Sequence, residues 1–191
     1  LIPMIETTRG CPFTCTFCAD GLDIKSKINR YETQRTREEL QLIAKNINKV
    51  DELIVTDLNF GMYKQDMETA KEIANIQKNY NYPISVDAPA GKNMPKRIIS
   101  IASIIKGWSM GGVIQSSDPD VLKAIRRSNI SISAYQDLID FGNKQKDNRT
   151  YTEIILGLPS DTKEKHFESL RLGVEKSVNN LRMHQAKLLT G

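Results

Sequence analysis

The chain has 191 residues, a hydrophobic content of 39% and a net charge of +4 at pH 7. This length suits one domain with a hydrophobic core. No apolar run approaches the length of a membrane span, and no basic-then-apolar leader opens the sequence. Lysines and arginines are scattered rather than grouped, so the charge pattern does not favour nucleic acid binding. We expect a soluble, cytoplasmic protein with one domain over residues 1–191.

Candidate strands and helices alternate along the chain. The candidate strands are apolar runs at 1–8, 52–57, 83–89, 111–116, 151–159 and 180–189. The candidate helices lie at 36–47, 66–80, 96–105, 118–127, 131–141 and 161–177. A capping box of Thr36 and Glu39 predicts the start of the first helix, and Asp118 predicts that of the fourth. In the last helix we expect Phe167, Leu170 and Val174 to face inward.

Repeated βα units build parallel sheets with right-handed crossovers. Six such units predict an open, six-stranded (β/α)6 partial barrel of the TIM type, and a doubly wound sheet is the alternative. In both architectures ligands bind beyond the carboxyl ends of the strands. The sequence begins at Leu1 without a methionine and stops at the sixth strand. We therefore expect a partial core domain, excised from a longer protein and truncated after that strand.

The chain has three cysteines, Cys11, Cys15 and Cys18, just after the first candidate strand. Their odd number does not suit a disulfide framework. Structural zinc would require a fourth ligand, and the two histidines, His166 and His184, lie far away in sequence. A 4Fe–4S cluster is held by thiolates, and three of them leave one iron open to a small molecule. We favour the cluster, with structural zinc or three buried thiols as alternatives.

The string RGCPFTCTFC, in which aromatic Phe17 precedes the last cysteine, resembles the motif of the radical S-adenosylmethionine (SAM) superfamily. This resemblance implies a six-stranded partial barrel and a 4Fe–4S cluster whose open iron binds the amino and carboxylate groups of SAM. It also implies an external one-electron reductant. The implied reaction is reductive cleavage of SAM to methionine and a 5′-deoxyadenosyl radical, which abstracts hydrogen from a substrate.

The same resemblance implies contacts to SAM, and it places Phe17 of the cysteine motif among the cofactor-binding residues. Thr56, Asp57 and Asn59 follow the second strand, where the family contacts the methionyl amino group. Asp57 has an alternative role as an acid that caps the turn at the strand end. Ile155 and Gly157 in the fifth strand are expected near adenine, since glycine permits close backbone approach.

Residues after the fourth strand are expected to contact the ribose and the carboxylate of SAM. By resemblance, Gln115 with Ser116 or Ser117 would face the ribose. Arg127 would approach the methionyl carboxylate, with which an arginine can form a bidentate pair. Its neighbour Arg126 is the competing choice for that role.

Three charged residues near strand ends are candidates for catalysis or substrate contact: Glu6, Arg9 and Asp87. An acid such as Glu6 on a barrel strand is costly to bury unless it is used. In the sixth strand, Leu188 and Leu189 are candidates to flank adenine, with a place in the core as the alternative.

Longer strings, IETTRGCPFTCTFCADG, NFGMY, APAGKN and ILGLPSDT, resemble the branch whose members often carry a cobalamin-binding domain ahead of the barrel. This implies cobalamin held by a domain absent from this chain, and it allows methyl transfer to unactivated carbon or phosphorus. A hypothesis from another class is a nucleic-acid-binding module in which zinc or a cluster is purely structural.

The cysteine assignment predicts the outcome of single Cys→Ala substitutions at positions 11, 15 and 18. Each variant should lose the iron–sulfur absorbance after anaerobic reconstitution, because two thiolates do not hold a cluster that requires three. Absorbance spectra and iron analysis make the measurement. Retention of a full cluster in all three variants would contradict the assignment.

Overall fold

The computed structural model describes residues 1–145 and 149–187. Within these ranges the strands are β1 (Met4–Ile5), β2 (Thr8–Arg9), β3 (Asn29–Arg30), β4 (Glu52–Val55), β5 (Ser85–Asp87), β6 (Met110–Gly111), β7 (Thr150–Leu156) and β8 (Asn180–Gln185). The helices are α1 (Thr33–Asn46), α2 (Asp66–Tyr80), α3 (Pro95–Ala102), α4 (Pro119–Ala124), α5 (Ile132–Lys144) and α6 (Lys163–Glu175). None of the helices in the described ranges combines the length and apolarity that a membrane crossing requires.

Six of the strands form two parallel sheets with three strands each. The first has the order β1-β4-β5 and the second the order β6-β7-β8. A single parallel bridge between Val86 and Trp108 joins them. The predicted parallel βα units are confirmed, since a parallel strand forms at or beside each predicted position. One continuous six-stranded sheet is not confirmed, because β1, β5 and β6 have only two or three residues and the ladder is interrupted.

The antiparallel ribbon of β2 and β3 was not predicted. It brackets residues 10–28, the excursion that carries all three cysteines. Gly10 has a φ of 104°, and a Cβ at this position would lie 2.3 Å from the carbonyl oxygen of Lys27. Only glycine permits this close approach of two chain segments. The ribbon therefore closes the cysteine excursion at its base.

The predicted start of α1 differs from the structure, whereas that of α4 agrees with it. Helix α1 begins at Thr33 with Glu32 as its N-cap, so the capping box predicted at Thr36 is wrong. Thr36 lies inside the helix and is buried in the core. The prediction for α4 is confirmed: the side chain of Asp118 accepts two backbone N–H groups of the first turn, and Pro119 is the first helical residue.

The inward face of α6 also differs from the predicted one. Phe167 and Val174 are 57% and 66% exposed, whereas the buried residues are His166, Ser169 and Gly173. A Cβ at Gly173 would lie 2.4 Å from a side-chain carbon of β8. Small side chains therefore allow α6 to approach the second sheet closely. Of the three residues predicted to face inward, Leu170 packs partly buried against the core, whereas Phe167 and Val174 turn outward.

Trp108 lies at the centre of the core and is fully buried. Its ring packs edge-on against that of Phe60, with 5.3 Å between the ring centroids. Its indole N–H donates to the carbonyl of Ala88 at 2.9 Å. The backbone N–H of Phe60 in turn donates to the carbonyl of Pro89 at 2.9 Å. These contacts hold the loops that follow β4 and β5 against the junction of the two sheets.

Asp57 is buried just after β4 and ties this strand to the turn between β1 and β2. Its carboxylate accepts the backbone N–H of Thr7 at 2.7 Å and also the hydroxyl of Thr7. Burial raises the pKa of the Asp57 carboxyl, and the hydrogen bonds from Thr7 oppose the shift. The structure thus uses Asp57 as a link between strand ends.

Asp66 fixes the loop between β4 and α2. It is buried, and one of its carboxylate oxygens accepts the backbone N–H groups of Gly61 and Tyr63 at 2.8 and 2.9 Å. Desolvation raises the pKa of this carboxyl from 3.8 to about 6. The raised pKa therefore stabilises the folded chain at low pH. This stabilisation is fully present below the pKa that Asp66 has in the unfolded chain, and it is lost as the pH rises through about 6.

An Asp66→Asn variant should remove this pH dependence while keeping an oxygen that accepts both N–H groups. We expect the variant to be more stable than the wild type at pH 7.5, by about 1 to 3 kcal/mol, because one pKa unit corresponds to about 1.4 kcal/mol. The difference should shrink as the pH falls toward 4.5. Urea unfolding of the reduced proteins at several pH values measures it, and a difference that stays constant over this range would contradict the raised pKa.

Candidate functional site: a cavity lined by three thiols

One cavity lies at the carboxyl ends of the parallel strands. Its volume is about 970 Å³ when the space open to solvent is included. It is walled by the cysteine excursion, by the loops after β4 and β5, and by β6 with the segment that follows it. The lining residues are Cys11, Phe13, Cys15, Phe17, Cys18, Asp20, Gly21, Leu58, Asn59, 89–92, 111–115, Arg127, Asn129, Ile130, Tyr135, Leu138 and Glu153.

All three cysteines are free thiols and all three line this cavity. Cys15 is buried, while Cys11 and Cys18 are partly exposed. Backbone hydrogen bonds hold the excursion: the N–H of Cys18 donates to the carbonyl of Cys15 at 3.1 Å, and that of Thr16 donates to the carbonyl of Ile125 at 3.1 Å. The cysteine excursion is therefore fastened both to itself and to the end of α4.

The thiols are not gathered around one point. In residues 1–145 and 149–187, no three side chains of His, Cys, Asp or Glu lie close enough together to hold a single metal ion. The thiols instead share the wall of a cavity that also has room for other atoms. Three sulfur donors around a shared space are the donor set of an iron–sulfur cluster with one open position.

Asn59 lies next to one of the thiols. Its side-chain Nδ2 donates to the Sγ of Cys11 at 3.4 Å, and the residue is 6% exposed. The sequence separates these residues by 48 positions. The fold, rather than local sequence, thus brings this amide to the sulfur.

Arg127 reaches the cavity from the residues just after α4 and is held there by carbonyl and amide oxygens. Its guanidinium donates to the carbonyl of Val113 at 2.5 Å and to the Oδ1 of Asn129 at 3.0 Å. Asn129 in turn donates to the carbonyls of Ile114 and Ser116, each at 2.9 Å. Of the two adjacent arginines, Arg127 lines the cavity, whereas Arg126 is exposed.

Two desolvated cations face the thiols. Burial lowers the pKa of Arg127 from its ordinary value, and the thiols of Cys15 and Cys18 oppose this shift. Burial likewise lowers the pKa of Lys92, and Cys15 again opposes the shift. The Nζ of Lys92 lies 3.7 Å from the centroid of the Phe13 ring. Two positive charges therefore lie beside the place where an anionic thiolate cluster would sit.

Gln115 presents a polar atom without a partner. It is 7% exposed and lines the cavity, and within the described part of the chain its Oε1 is buried without a hydrogen-bond donor. Its φ of 61° is uncommon for a residue other than glycine. Strain and an unsatisfied buried oxygen are both costly. This combination indicates that the cavity is shaped for a ligand with a donor at this point.

Glycines allow the walls of the cavity to pack closely. A Cβ at Gly91 would lie 2.7 Å from the Cβ of Met62, and a Cβ at Gly112 would lie 2.6 Å from the ring of Tyr135. Side chains at these positions would collide with neighbouring segments of the wall. The thiols, the cations, the unpartnered oxygen and the space between them together fit an iron–sulfur cluster and a polar organic ligand.

Residues 5–172 match the radical SAM superfamily. The chain belongs to the radical SAM superfamily. It is 34% identical over 163 residues to the cobalamin-dependent radical SAM methyltransferase TokK of Streptomyces tokunonensis. It is also 34% identical to the 2-(S-pantetheinyl)-carbapenam-3-carboxylate methyltransferase of Streptantibioticus cattleyicolor. Each match includes 82% of this chain and 23% of the relative, so the chain spans about a quarter of the length of these proteins.

A solved structure shows the same fold. TsrM of Kitasatospora setae, a radical S-adenosylmethionine methyltransferase with cobalamin and a 4Fe-4S cluster bound, superposes with a TM-score of 0.75 at 13% identity. The match covers 96% of this chain and 34% of TsrM. The TIM-type α/β fold of the radical SAM superfamily is therefore the fold of this chain.

Of the residues predicted from the sequence as SAM contacts, four reach the cavity: Phe17, Asn59, Gln115 and Arg127. Thr56 instead donates its hydroxyl to the carbonyl of Ile5 at 3.1 Å.

The predicted serine contacts are directed away from the cavity. The hydroxyls of Ser116 and Ser117 lie 3.5 and 3.0 Å from the Oγ of Ser169 on α6. Ser169 also accepts the backbone N–H of Ser117 at 2.9 Å. The two predicted serines therefore fasten α6 to the segment after β6.

The predicted adenine contacts lie beside the cavity rather than in its wall. Ile155 packs with Phe17 against a small apolar cluster that includes Val121 and Leu158. Gly157 has a φ of 82° and ends β7. The predicted contacts Leu188 and Leu189 lie outside the described residues, and β8 ends at Gln185 rather than at residue 189.

The predicted charged candidates do not converge on the cavity. Glu6 and Arg9 pair with each other, with an Nη2 to Oε2 distance of 2.5 Å, and the hydroxyl of Tyr31 donates to Glu6 at 3.2 Å. The hydrogen bond from Arg9 lowers the pKa of the Glu6 carboxyl. Asp87 is exposed on β5.

Sequence reasoning missed several polar residues of the wall. Lys92 and Asp20 lie in loops, and Glu153 lies on β7, two residues before a predicted contact. Period-two alternation along β7 was a usable signal for Glu153, because Ile155 was already placed on the inner face. Lys92 and Asp20 carried no such signal.

Arg127→Gln, compared with Arg126→Gln, tests the charge environment of the thiols. The first variant removes a buried cation beside Cys15 and should lower the affinity for the cluster about tenfold. The second changes an exposed side chain of the same type and should bind like the wild type. Iron and sulfide per chain after anaerobic reconstitution and gel filtration measure the effect, with circular dichroism as the folding control. Equal iron content in the two variants would contradict this role of Arg127.

Proposed function

We propose that residues 1–191 are the core domain of a radical SAM enzyme. In this proposal Cys11, Cys15 and Cys18 hold a 4Fe–4S cluster, and the adjoining cavity holds SAM. The observation that carries the proposal is the convergence of the three thiols, two cations and an unpartnered amide oxygen in one cavity. Membership of the superfamily supports it and sets aside the structural zinc or nucleic-acid module.

When bound, the reduced cluster supplies the electron that cleaves SAM to methionine and a 5′-deoxyadenosyl radical, and this radical abstracts hydrogen from the substrate. The residues of this chain position and shield the reactants. Arg127 is suited to pair with the methionyl carboxylate. Gln115 offers its Oε1 to a ribose hydroxyl. Phe17 and the apolar cluster beside it exclude water from the adenine side.

We propose methyl transfer as the reaction class, with cobalamin held by a domain outside this chain. Similarity to TokK and to the carbapenam methyltransferase supports this assignment, as both are methyltransferases and TokK is cobalamin-dependent. An external one-electron reductant completes the system. We place the protein in the cytoplasm, where free thiols stay reduced.

The test is anaerobic reconstitution with iron and sulfide, followed by EPR of the dithionite-reduced protein with and without SAM. We expect a reduced 4Fe–4S signal that changes when SAM is added, because SAM binds the open iron. Release of 5′-deoxyadenosine, measured by chromatography, should then follow. A cluster whose signal is indifferent to SAM would contradict the proposal.

Gln115→Leu tests whether the Oε1 of Gln115 contributes to SAM binding. Leucine has a similar volume but offers no acceptor, so this variant should assemble the cluster normally. It should need about tenfold more SAM to change the EPR signal, since an unsatisfied polar partner costs about 1 to 3 kcal/mol. A wild-type response to SAM in this variant would remove Gln115 from the binding site.

A further inference from the structure

The contact between Asn59 and Cys11 is a direct hydrogen bond to a sulfur that the proposed function assigns to the cluster. The Nδ2 to Sγ distance is 3.4 Å. The orientation of the amide follows from the chemistry, because a thiolate accepts hydrogen bonds and cannot donate them. The amide N–H therefore faces the sulfur and the carbonyl oxygen faces away from it.

The core fixes the backbone that carries this amide. The backbone carbonyl of Asn59 accepts the backbone N–H of Met62 at 3.1 Å. The next residue, Phe60, pairs with Ala90 as a parallel bridge, and its ring packs against Trp108. Asn59 itself is more than nine-tenths buried. The donor is thus held beside Cys11 by the packing of both neighbouring loops.

A hydrogen bond to a ligating sulfur affects the energy of reducing a cluster. Reduction adds one negative charge, and part of this charge resides on the sulfur atoms. An N–H donor stabilises that charge, so the potential rises with hydrogen bonding to sulfur. The effect is stronger in a buried site, where the local dielectric constant is low. An amide also donates without titrating, so its effect should not vary near neutral pH.

We propose that Asn59 raises the reduction potential of the cluster through its hydrogen bond to the sulfur of Cys11. This inference rests on the proposed function, because it requires that Cys11 ligate the cluster. It differs from the role predicted by resemblance, in which Asn59 contacts the amino group of SAM. The donor acts here on the cluster itself, before SAM binds.

The test compares cluster potentials in the wild type and in Asn59→Leu, by redox titration monitored by EPR without SAM. Leucine has the same branched arrangement of heavy atoms as asparagine, although its methyl groups are bulkier, and it removes the donor. The potential should become more negative by about 59 mV, which corresponds to a tenfold change in a one-electron equilibrium constant. Asn59→Ala is the second variant, for the case that leucine disturbs cluster assembly. Its shift should have the same direction and be smaller, because water entering the space can donate in place of the amide.

Met62→Leu is the matched control. It changes another residue of the same loop at similar volume, outside the cavity wall and without altering a donor to sulfur. Its potential should equal that of the wild type. Wild-type potentials in the Asn59 variants would overturn the inference and leave the proposed function intact. A wild-type protein that takes up no cluster would overturn both.

Discussion

The packing of Trp108 is the constraint on which the site depends. Two parallel sheets meet at the bridge between Trp108 and Val86. The walls of the cavity come from both sheets and from the loops that follow their strands. The indole N–H holds the carbonyl of Ala88 on one side, and the ring holds Phe60 on the other. The loops that carry Asn59 and Lys92 extend directly from these contacts. The packing of Trp108, which itself contacts no reactant, thus determines where the side chains of Asn59 and Lys92 lie relative to the thiols.

The second feature of the site is a set of desolvated polar groups. Burial of Arg127, Lys92 and Gln115 disfavours the apoprotein, since removing a charge or an unpaired amide from water costs free energy. The carbonyl of Val113 and the amide of Asn129 compensate part of this cost for Arg127. An anionic cluster and a polar ligand would compensate the remainder. The apoprotein is therefore less stable than it would be without these buried groups, and its binding site is already arranged for the cluster and the ligand.

Much of the architecture followed from local pattern. Apolar runs separated by amphipathic helices predicted parallel βα units, and strands form at or beside all six predicted positions. The capping signal of Asp118 and Pro119 was sufficient for α4, because this cap depends only on residues within one turn. The cap of α1 and the inward face of α6 were mispredicted. In both cases packing decided the outcome, as Thr36 is drawn into the core and Gly173 lets α6 approach the sheet.

The sequence by itself determined that three cysteines with C-x3-C-x2-C spacing follow the first strand, and that polar residues stand at the strand ends where ligands bind in parallel sheets. These are properties of neighbouring residues and of the βα repeat. Only the tertiary structure decided which polar residues reach the cavity. Asp57 was drawn to Thr7 and the two serines to Ser169, whereas Asn59, Gln115 and Arg127 were directed to the cavity. The physical reason is that side-chain direction at a strand end depends on which buried donors and acceptors lie within reach, and those partners come from segments distant in the chain.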